Sequence, residues 1–343
     1  MRSRLMLVIW AFAWIALQPT ARADTQALYE AAKKEAPMIW YISFYGADIP
    51  AKTVAAFAAK FPGITVNPVR MTSGAIFQRL NQDLRSKVAV ASVYTSSIGG
   101  QYDILVKDGV LAEYTPEAAA AINPNVRSAI VPGYVYPLGT GLMTLAYNTA
   151  KVKPADAPKA WKELLDPRWK GQIAIGDPSF SGFDAVWDVV MTKVYGWEYY
   201  ETLAKNNPLV QRSTFDSLTA LNSGERSVAV LSDSQAVDSA KKGNPIAPVY
   251  PSDGTVMILG MTAILKDAPQ PNTARLFTEF LLGPEHGKVL IDNGYQSTRA
   301  DAVNTLAGGK LLSEISVAPV LSSKDFVQAL PDLIERWRDL FSK

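Results

Sequence analysis

The sequence predicts an α/β chain folded into two lobes with mostly parallel sheets, and three observations carry that expectation. Short apolar runs alternate with helical patterns along most of the 343 residues, which is the pattern of parallel strands covered by helices. The chain exceeds the roughly 250 to 300 residues at which single cores usually split, so two cores are expected. It contains no cysteine, so stability must come from those cores, and disulfides, thiolate zinc sites and thiol nucleophiles are excluded together.

Taken in order, the chain opens on an export signal. Arg2 and Arg4 precede an apolar run from Leu5 to Leu17, and Ala21-Arg22-Ala23 supplies the small-x-small pattern of a cleavage site, so residues 1–23 read as a signal peptide removed after Ala23. The apolar run is shorter than the about 20 residues a membrane span needs. Without a cysteine to carry a lipid, the mature protein is expected to be free in a Gram-negative periplasm, as a monomer. Loss of Arg2, Arg4 and Arg22 lowers the basic count from 34 to 31 against 32 acidic residues, a formal net of −1. A nearly neutral chain without a basic run argues against nucleic acid, which needs clustered Lys and Arg.

Met38 to Ser43, Thr65 to Arg70, Gln172 to Ile175 and Ser227 to Leu231 read as buried strands. Ile49 to Phe61, Ala75 to Ser86, Phe183 to Val194, Ser217 to Asn222 and Ser234 to Lys242 read as helices. Two further strand-like runs that begin with glycine, Gly139 to Tyr147 and Gly254 to Ile264, are the candidate crossings between lobes. They divide the chain into a first lobe of residues 24–143 and 257–300 and a second of 144–256 and 301–343. Phe326, Leu330, Leu333, Ile334, Trp337 and Leu340 recur at helical intervals, so the C-terminus reads as a helix packed on one lobe.

Hydroxyl-rich turns recur where strands end and helices begin: Met71-Thr72-Ser73-Gly74, Pro178-Ser179-Phe180-Ser181-Gly182 and Ser232-Asp233-Ser234. Each is at home as an ordinary N-cap worth about 1 kcal/mol. Open α/β sheets also bind ligands outside the carboxyl ends of their strands, where helix N-termini offer free N–H groups and partial positive charge to an anion.

Enzyme readings fare poorly. The single histidine, His286, opens a helix in Gly283-Pro-Glu-His-Gly287 and reads as a solvent-facing first-turn residue. No G-x-S-x-G elbow is present, Ser239-Ala-Lys-Lys242 lacks the companions of an S-x-x-K site, and Gly139-Thr-Gly141 is an incomplete dinucleotide fingerprint. No catalytic residue and no cofactor are expected.

Asp166-Pro-Arg-Trp-Lys-Gly-Gln-Ile-Ala-Ile-Gly-Asp-Pro-Ser-Phe-Ser-Gly182, Leu221-Asn-Ser-Gly-Glu225 and Met261-Thr-Ala-Ile-Leu-Lys266 followed by Ala274-Arg-Leu-Phe-Thr-Glu-Phe-Leu-Leu-Gly-Pro-Glu-His-Gly287 resemble, in order and spacing, the ferric-binding type of extracellular solute-binding proteins, whose iron, phosphonate and polyamine receptors serve bacterial ABC importers. The resemblance implies the type II periplasmic binding fold, with two α/β lobes, a two-crossing hinge and a small ligand in the cleft between them. It implies the permease subunits of an inner-membrane ABC transporter as partner.

Iron-binding members place adjacent tyrosines where this chain has Ser232-Asp233-Ser234-Gln235, so a ferric site would have to draw on Tyr45, Tyr94 and Asp233. The tyrosine pair Tyr199-Tyr200 falls in a helical stretch upstream and reads as helix packing. A phosphonate, phosphorylated compound or carboxylate therefore ranks first, ferric iron with a synergistic anion second, and an amine third because acidic residues are scarce at the candidate turns. On position in the sequence, Tyr45, Thr72, Ser73 and Gly74 are expected from the first lobe, with Tyr94 and Thr95 closing one side. On the resemblance and position together, Ser181, Gly182, Thr214, Ser232 and Asp233 are expected from the second.

Overall fold

The computed structural model describes residues 25–46, 48–303, 310, 314–321 and 323–341. The signal segment lies outside the described residues. Helix α1 (Thr25–Ala32) leads into β1 (Met38–Ile42), α2 (Ile49–Lys60), β2 (Val66–Arg70), α3 (Ser73–Ser86), β3 (Val93–Ser96) and α4 (Gly99–Lys107). Strand β1 runs parallel to both β2 and β3. Pro50 starts α2, where its fixed φ suits the first turn and its missing N–H costs nothing.

After two short 3-10 turns the chain enters β4 (Tyr136–Asn148), all of whose thirteen residues are buried. A second parallel unit follows: β5 (Ile173–Gly176), α5 (Gly182–Tyr195), α6 (Glu198–Lys205), β6 (Leu209–Gln211), α7 (Thr214–Asn222), β7 (Val228–Ser232) and α8 (Asp233–Lys241). Strand β8 (Ile246–Val249) pairs with β4, and β9 (Val256–Ile264) returns alongside it, buried at every position. Helices α9 (Pro271–Leu281), α10 (Pro284–Asp292) and α11 (Ser323–Phe341) complete the chain. No helix among the described residues is long and apolar enough to cross a membrane.

The strands form one curled, mixed sheet in the order β2-β1-β3-β9-β4-β7-β5-β6. Its two arms are parallel, β2-β1-β3 on one side and β7-β5-β6 on the other. Between them β4 and β9 run antiparallel to each other and to their neighbours. Strand β9 reaches the first arm through Met261 to Ile264 on β3, and β4 reaches the second through Met143 to Tyr147 on β7. These are the two glycine-headed runs expected to cross. The alternation of strand and helix announces the parallel arms; the antiparallel centre arises because β4 leads the chain from the first arm to the second and β9 leads it back.

Tyr199 and Tyr200 are buried, with Tyr200 set edge-on against Trp187 and Trp337. Helix α11 packs against α5 and α6, and also against α4 of the first arm, so it touches both arms rather than the single lobe the helical spacing suggested. His286 corrects another expectation. It is fully buried rather than solvent-facing: Nδ1 lies 2.7 Å from the Leu281 carbonyl oxygen and the ring packs beside Tyr45 and Phe280. Burial lowers its pKa to about 4.

Candidate ligand cleft

The floor of the cleft is set by two glycines on the crossing strands. A Cβ on Gly260 of β9 would overlap the ring of Phe44, and one on Gly141 of β4 would overlap the ring of Phe183. Glycine therefore lets a phenylalanine from each arm lie against the hinge strands. The two rings stack 6.1 Å apart at an interplanar angle of 24°.

Above this floor is a cleft of about 480 Å³, edged by the N-terminal ends of four helices, α3, α5, α7 and α8. Each such end has N–H groups without a partner inside its own helix and a partial positive charge. On the first arm, Ser73 Oγ donates to Ser43 Oγ at 3.1 Å and lies 3.4 Å from Ser97 Oγ, a hydroxyl trio drawn from α3 and from the segments after β1 and β3. On the second arm, Ser181 Oγ accepts from Asp184 N at 3.3 Å, and Gln235 Nε2 donates to Thr214 Oγ1 at 2.9 Å. Ser232 Oγ and Ser234 Oγ lie 2.7 Å apart.

Among the described residues, Arg70 is the only charged side chain lining this cleft, and no carboxylate lines it. Its Nε donates to the Tyr45 carbonyl oxygen at 2.7 Å, which ties the side chain to the segment after β1. The terminal guanidinium nitrogens make no hydrogen bond or ion pair with any described residue. One fixed cation and four helix N-termini give the cleft a positive character. A second, mostly apolar chamber of about 420 Å³ adjoins it and shares Ser97 and Phe326 as wall.

The structure brings eight of the expected residues to this one cleft: Tyr45, Thr72, Ser73, Gly74, Ser181, Gly182, Thr214 and Ser232. Three others lie elsewhere. Tyr94 and Thr95 sit in β3, which is buried on both faces; Tyr94 donates to Gln101 Oε1 at 2.5 Å, and Thr95 Oγ1 accepts from Trp40 Nε1 at 2.9 Å. Asp233 turns back beneath the crossing strand, where its carboxylate accepts from Ser234 N at 2.8 Å and Leu142 N at 3.4 Å. Burial raises its pKa to about 7.

Tyr45 contributes wall rather than hydroxyl. Its side chain is fully buried, its hydroxyl has no partner among the described residues, and burial holds its pKa well above the usual tyrosine range. The would-be ferric set of Tyr45, Tyr94 and Asp233 is thus not brought together, because the latter two belong to the cores of their arms. Among the described residues, no group of three or more His, Asp or Glu side chains could share a metal ion.

Sequence reasoning passed over Arg70, Ser97, Phe180 and Phe215, all of which line the cleft. Arg70 carried a legible signal: a cation at the last position of a strand, directly before the hydroxyl-rich turn Met71-Thr72-Ser73-Gly74. Phe180 stood inside the second such turn.

Comparison with known proteins places this geometry. The model of the family described as bacterial extracellular solute-binding protein matches residues 99–316. A Salmonella paratyphi A periplasmic protein named for 2-aminoethylphosphonate binding is 25% identical over 242 residues, 66% of this chain and 67% of that one. Two solved structures share the fold. Iron-bound HitA from Pseudomonas aeruginosa has a TM-score of 0.74 at 22% identity, covering 89% of this chain and 99% of that one. AfuA from Actinobacillus pleuropneumoniae, a periplasmic binding protein with fructose-6-phosphate bound, has a TM-score of 0.75 at 22% identity, covering 89% and 98%. A two-armed sheet, two crossing strands, a polar cleft between the arms and a family match across most of the chain lead to one conclusion: the protein belongs to the bacterial extracellular solute-binding protein family.

Proposed function

We propose that this chain captures a small organic anion, such as a phosphonate, a phosphorylated compound or a carboxylate, in the periplasm and delivers it to the permease of an ABC importer. The charge of the cleft carries the reading: Arg70 is the one charged residue among the described lining residues, and it stands with four helix N-termini. Such ends bind anions through backbone N–H groups, and a guanidinium adds charge-assisted hydrogen bonds to phosphate or carboxylate oxygens. The relative named for 2-aminoethylphosphonate and the sugar-phosphate complex of AfuA fit this chemistry.

Lobes made of residues 24–143 with 257–300 and of 144–256 with 301–343 would close on the ligand by bending β4 and β9, as two-lobed receptors do. Ligand that binds the native state raises its melting temperature by mass action. A thermal-shift screen of phosphonates, phosphorylated metabolites and carboxylates should therefore give a shift that rises with concentration and that needs about ten to a hundredfold more ligand in Arg70→Met. A strong visible band with ferric salts that disappears in Tyr45→Phe, with no response to organic anions, would replace this reading with iron.

A further inference from the structure

We propose that the anion this cleft takes carries an apolar, ring-sized body and no amine; the inference rests on the anion reading above and adds the rest of the molecule. The anion end of the cleft is flanked by two phenylalanines that ordinary folding gives no reason to expose. Phe180 is 61% exposed and Phe215 57%, while the other large apolar side chains exposed among the described residues are aliphatic. Both line the cleft beside its hydroxyls, Phe180 directly before Ser181-Gly182 and Phe215 directly after Ser213-Thr214. Helix α11 adds Phe326, Leu330 and Ile334 to the same lining. A ligand anchored by its charged group at these helix N-termini would meet ring faces and aliphatic carbon beyond it. The cleft volume of about 480 Å³ suits a body larger than one or two carbons, since pockets of about 300 to 1,000 Å³ hold drug-sized molecules.

The charges decide against an amine. An ammonium group would find no carboxylate among the described lining residues, and it would face the Arg70 cation. Aromatic rings can hold a cation, but the Phe180 ring already has the Arg212 guanidinium 5.2 Å from its centroid. A second cation there would be repelled. That ring is thus left for apolar contact.

Titration calorimetry with methylphosphonate, 2-aminoethylphosphonate and phenylphosphonate tests this, with acetate and benzoate as a carboxylate pair. Phenylphosphonate should bind about tenfold or more tighter than methylphosphonate, as expected for burying much of a phenyl ring, and 2-aminoethylphosphonate should bind no better than methylphosphonate. The exposed positions allow a double variant, Phe180→Ala with Phe215→Ala, whose effect is read as the ratio of the two affinities. It should bring phenylphosphonate down to the affinity of methylphosphonate, with melting of the unliganded protein as the check on folding. If 2-aminoethylphosphonate binds as tightly as the phenyl compound, or if the double variant weakens all ligands by one factor, the apolar-body proposal is overturned while the anion reading stands. If neither headgroup series binds, the anion reading itself falls.

Discussion

At the N-terminus of α9 the chain supplies its own anion. Glu35 reaches the first turn and accepts from the backbone N–H of Asn272 at 3.0 Å and of Thr273 at 2.8 Å, with both side chains adding a further bond. Partial burial works to raise this carboxyl, yet the hydrogen bonds from Thr273 and Asn272 outweigh it and hold the pKa below the ordinary glutamate value. The contrasting case is α5, whose first turn contains Asp184. That carboxylate is fully buried, neither oxygen has a hydrogen-bond partner among the described residues, and desolvation pushes its pKa up to about 7. A helix N-terminus therefore stabilises an anion when the N–H groups touch it at a partly solvated edge; proximity to the dipole alone does not overcome burial. The carboxylates in the first turns of α5 and α8, Asp184 and Asp233, are buried away from the cleft, whereas Ser181, Gly182, Ser232 and Ser234 at the same helix ends line it.

Asp184 has the largest expected effect on stability. Its folded pKa of about 7 lies above the reference 3.8, so the folded state keeps a proton that the unfolded state has lost. This contribution is fully present below about pH 4 and is lost as pH rises through about 7. At 1.36 kcal/mol per unit, the change is on the order of 4 kcal/mol. His286 works in the opposite direction: with its pKa lowered to about 4, its contribution is present above about pH 6.5 and lost as pH falls. Asp184→Asn should reduce the loss of stability between pH 4 and 7, measured by urea unfolding at several pH values, while Asp233, raised in the same way, keeps its share. An unchanged slope would mean the carboxyl is solvated and the contrast with Glu35 is false.

Arg70 comes next. Its replacement by methionine keeps much of the apolar stem but removes the one charge in the described lining, and should weaken an anionic ligand by about ten to a hundredfold, or about 1.5 to 3 kcal/mol. Melting of the unliganded protein should change little, because Arg70 makes one hydrogen bond to a backbone oxygen at an exposed position. Equal affinity in wild type and variant would leave the helix ends as the only anion device.

Much of this was legible from the residues, and the misses share one cause. Strands β1, β2, β5 and β7, both crossing strands and the hydroxyl-rich turns follow from periodicity and turn chemistry, which are local, whereas the short strands β3, β6 and β8, of three or four residues each, carry too little pattern to be read. What a side chain faces is not local. Tyr94 and Thr95 lie at the carboxyl end of a strand, as a ligand site requires, but β3 is covered on both faces and turns them into the core. Asp233 opens a helix beside the cleft, and only the passage of β4 above it explains why its carboxylate bonds Leu142 N instead. Arg70 was hidden inside a strand assignment. His286 looked exposed from its first-turn position, and the packing of Tyr45 and Phe280 against it could not be read from the sequence.

Glu35→Gln tests the partly solvated helix end. It keeps the shape but removes the charge at α9, and should cost about 1 to 2 kcal/mol of stability through weaker hydrogen bonds without touching ligand affinity. Because the wild-type pKa is lowered, the contribution is present above about pH 4.5 and lost as pH falls below it. The gap between wild type and variant should therefore close in acid, as chemical denaturation at pH 7 and pH 3 would show.

A last pair of variants separates two serines that the sequence treats alike. Ser181 caps α5, its Oγ accepting from Asp184 N, so Ser181→Ala should lower stability by about 1 kcal/mol. Ser73 lies one residue inside α3, whose N-cap is Thr72, and its Oγ bonds the hydroxyl of Ser43 rather than a backbone N–H. Nothing in the helix depends on it. Ser73→Ala should leave melting nearly unchanged and weaken anion binding by about ten to a hundredfold if the hydroxyl donates to a charged ligand group. Melting and calorimetric titration of the two variants give opposite patterns on this account. Lowered melting with unchanged affinity in Ser73→Ala would make the hydroxyl trio a structural clasp and move the anion site to the second arm.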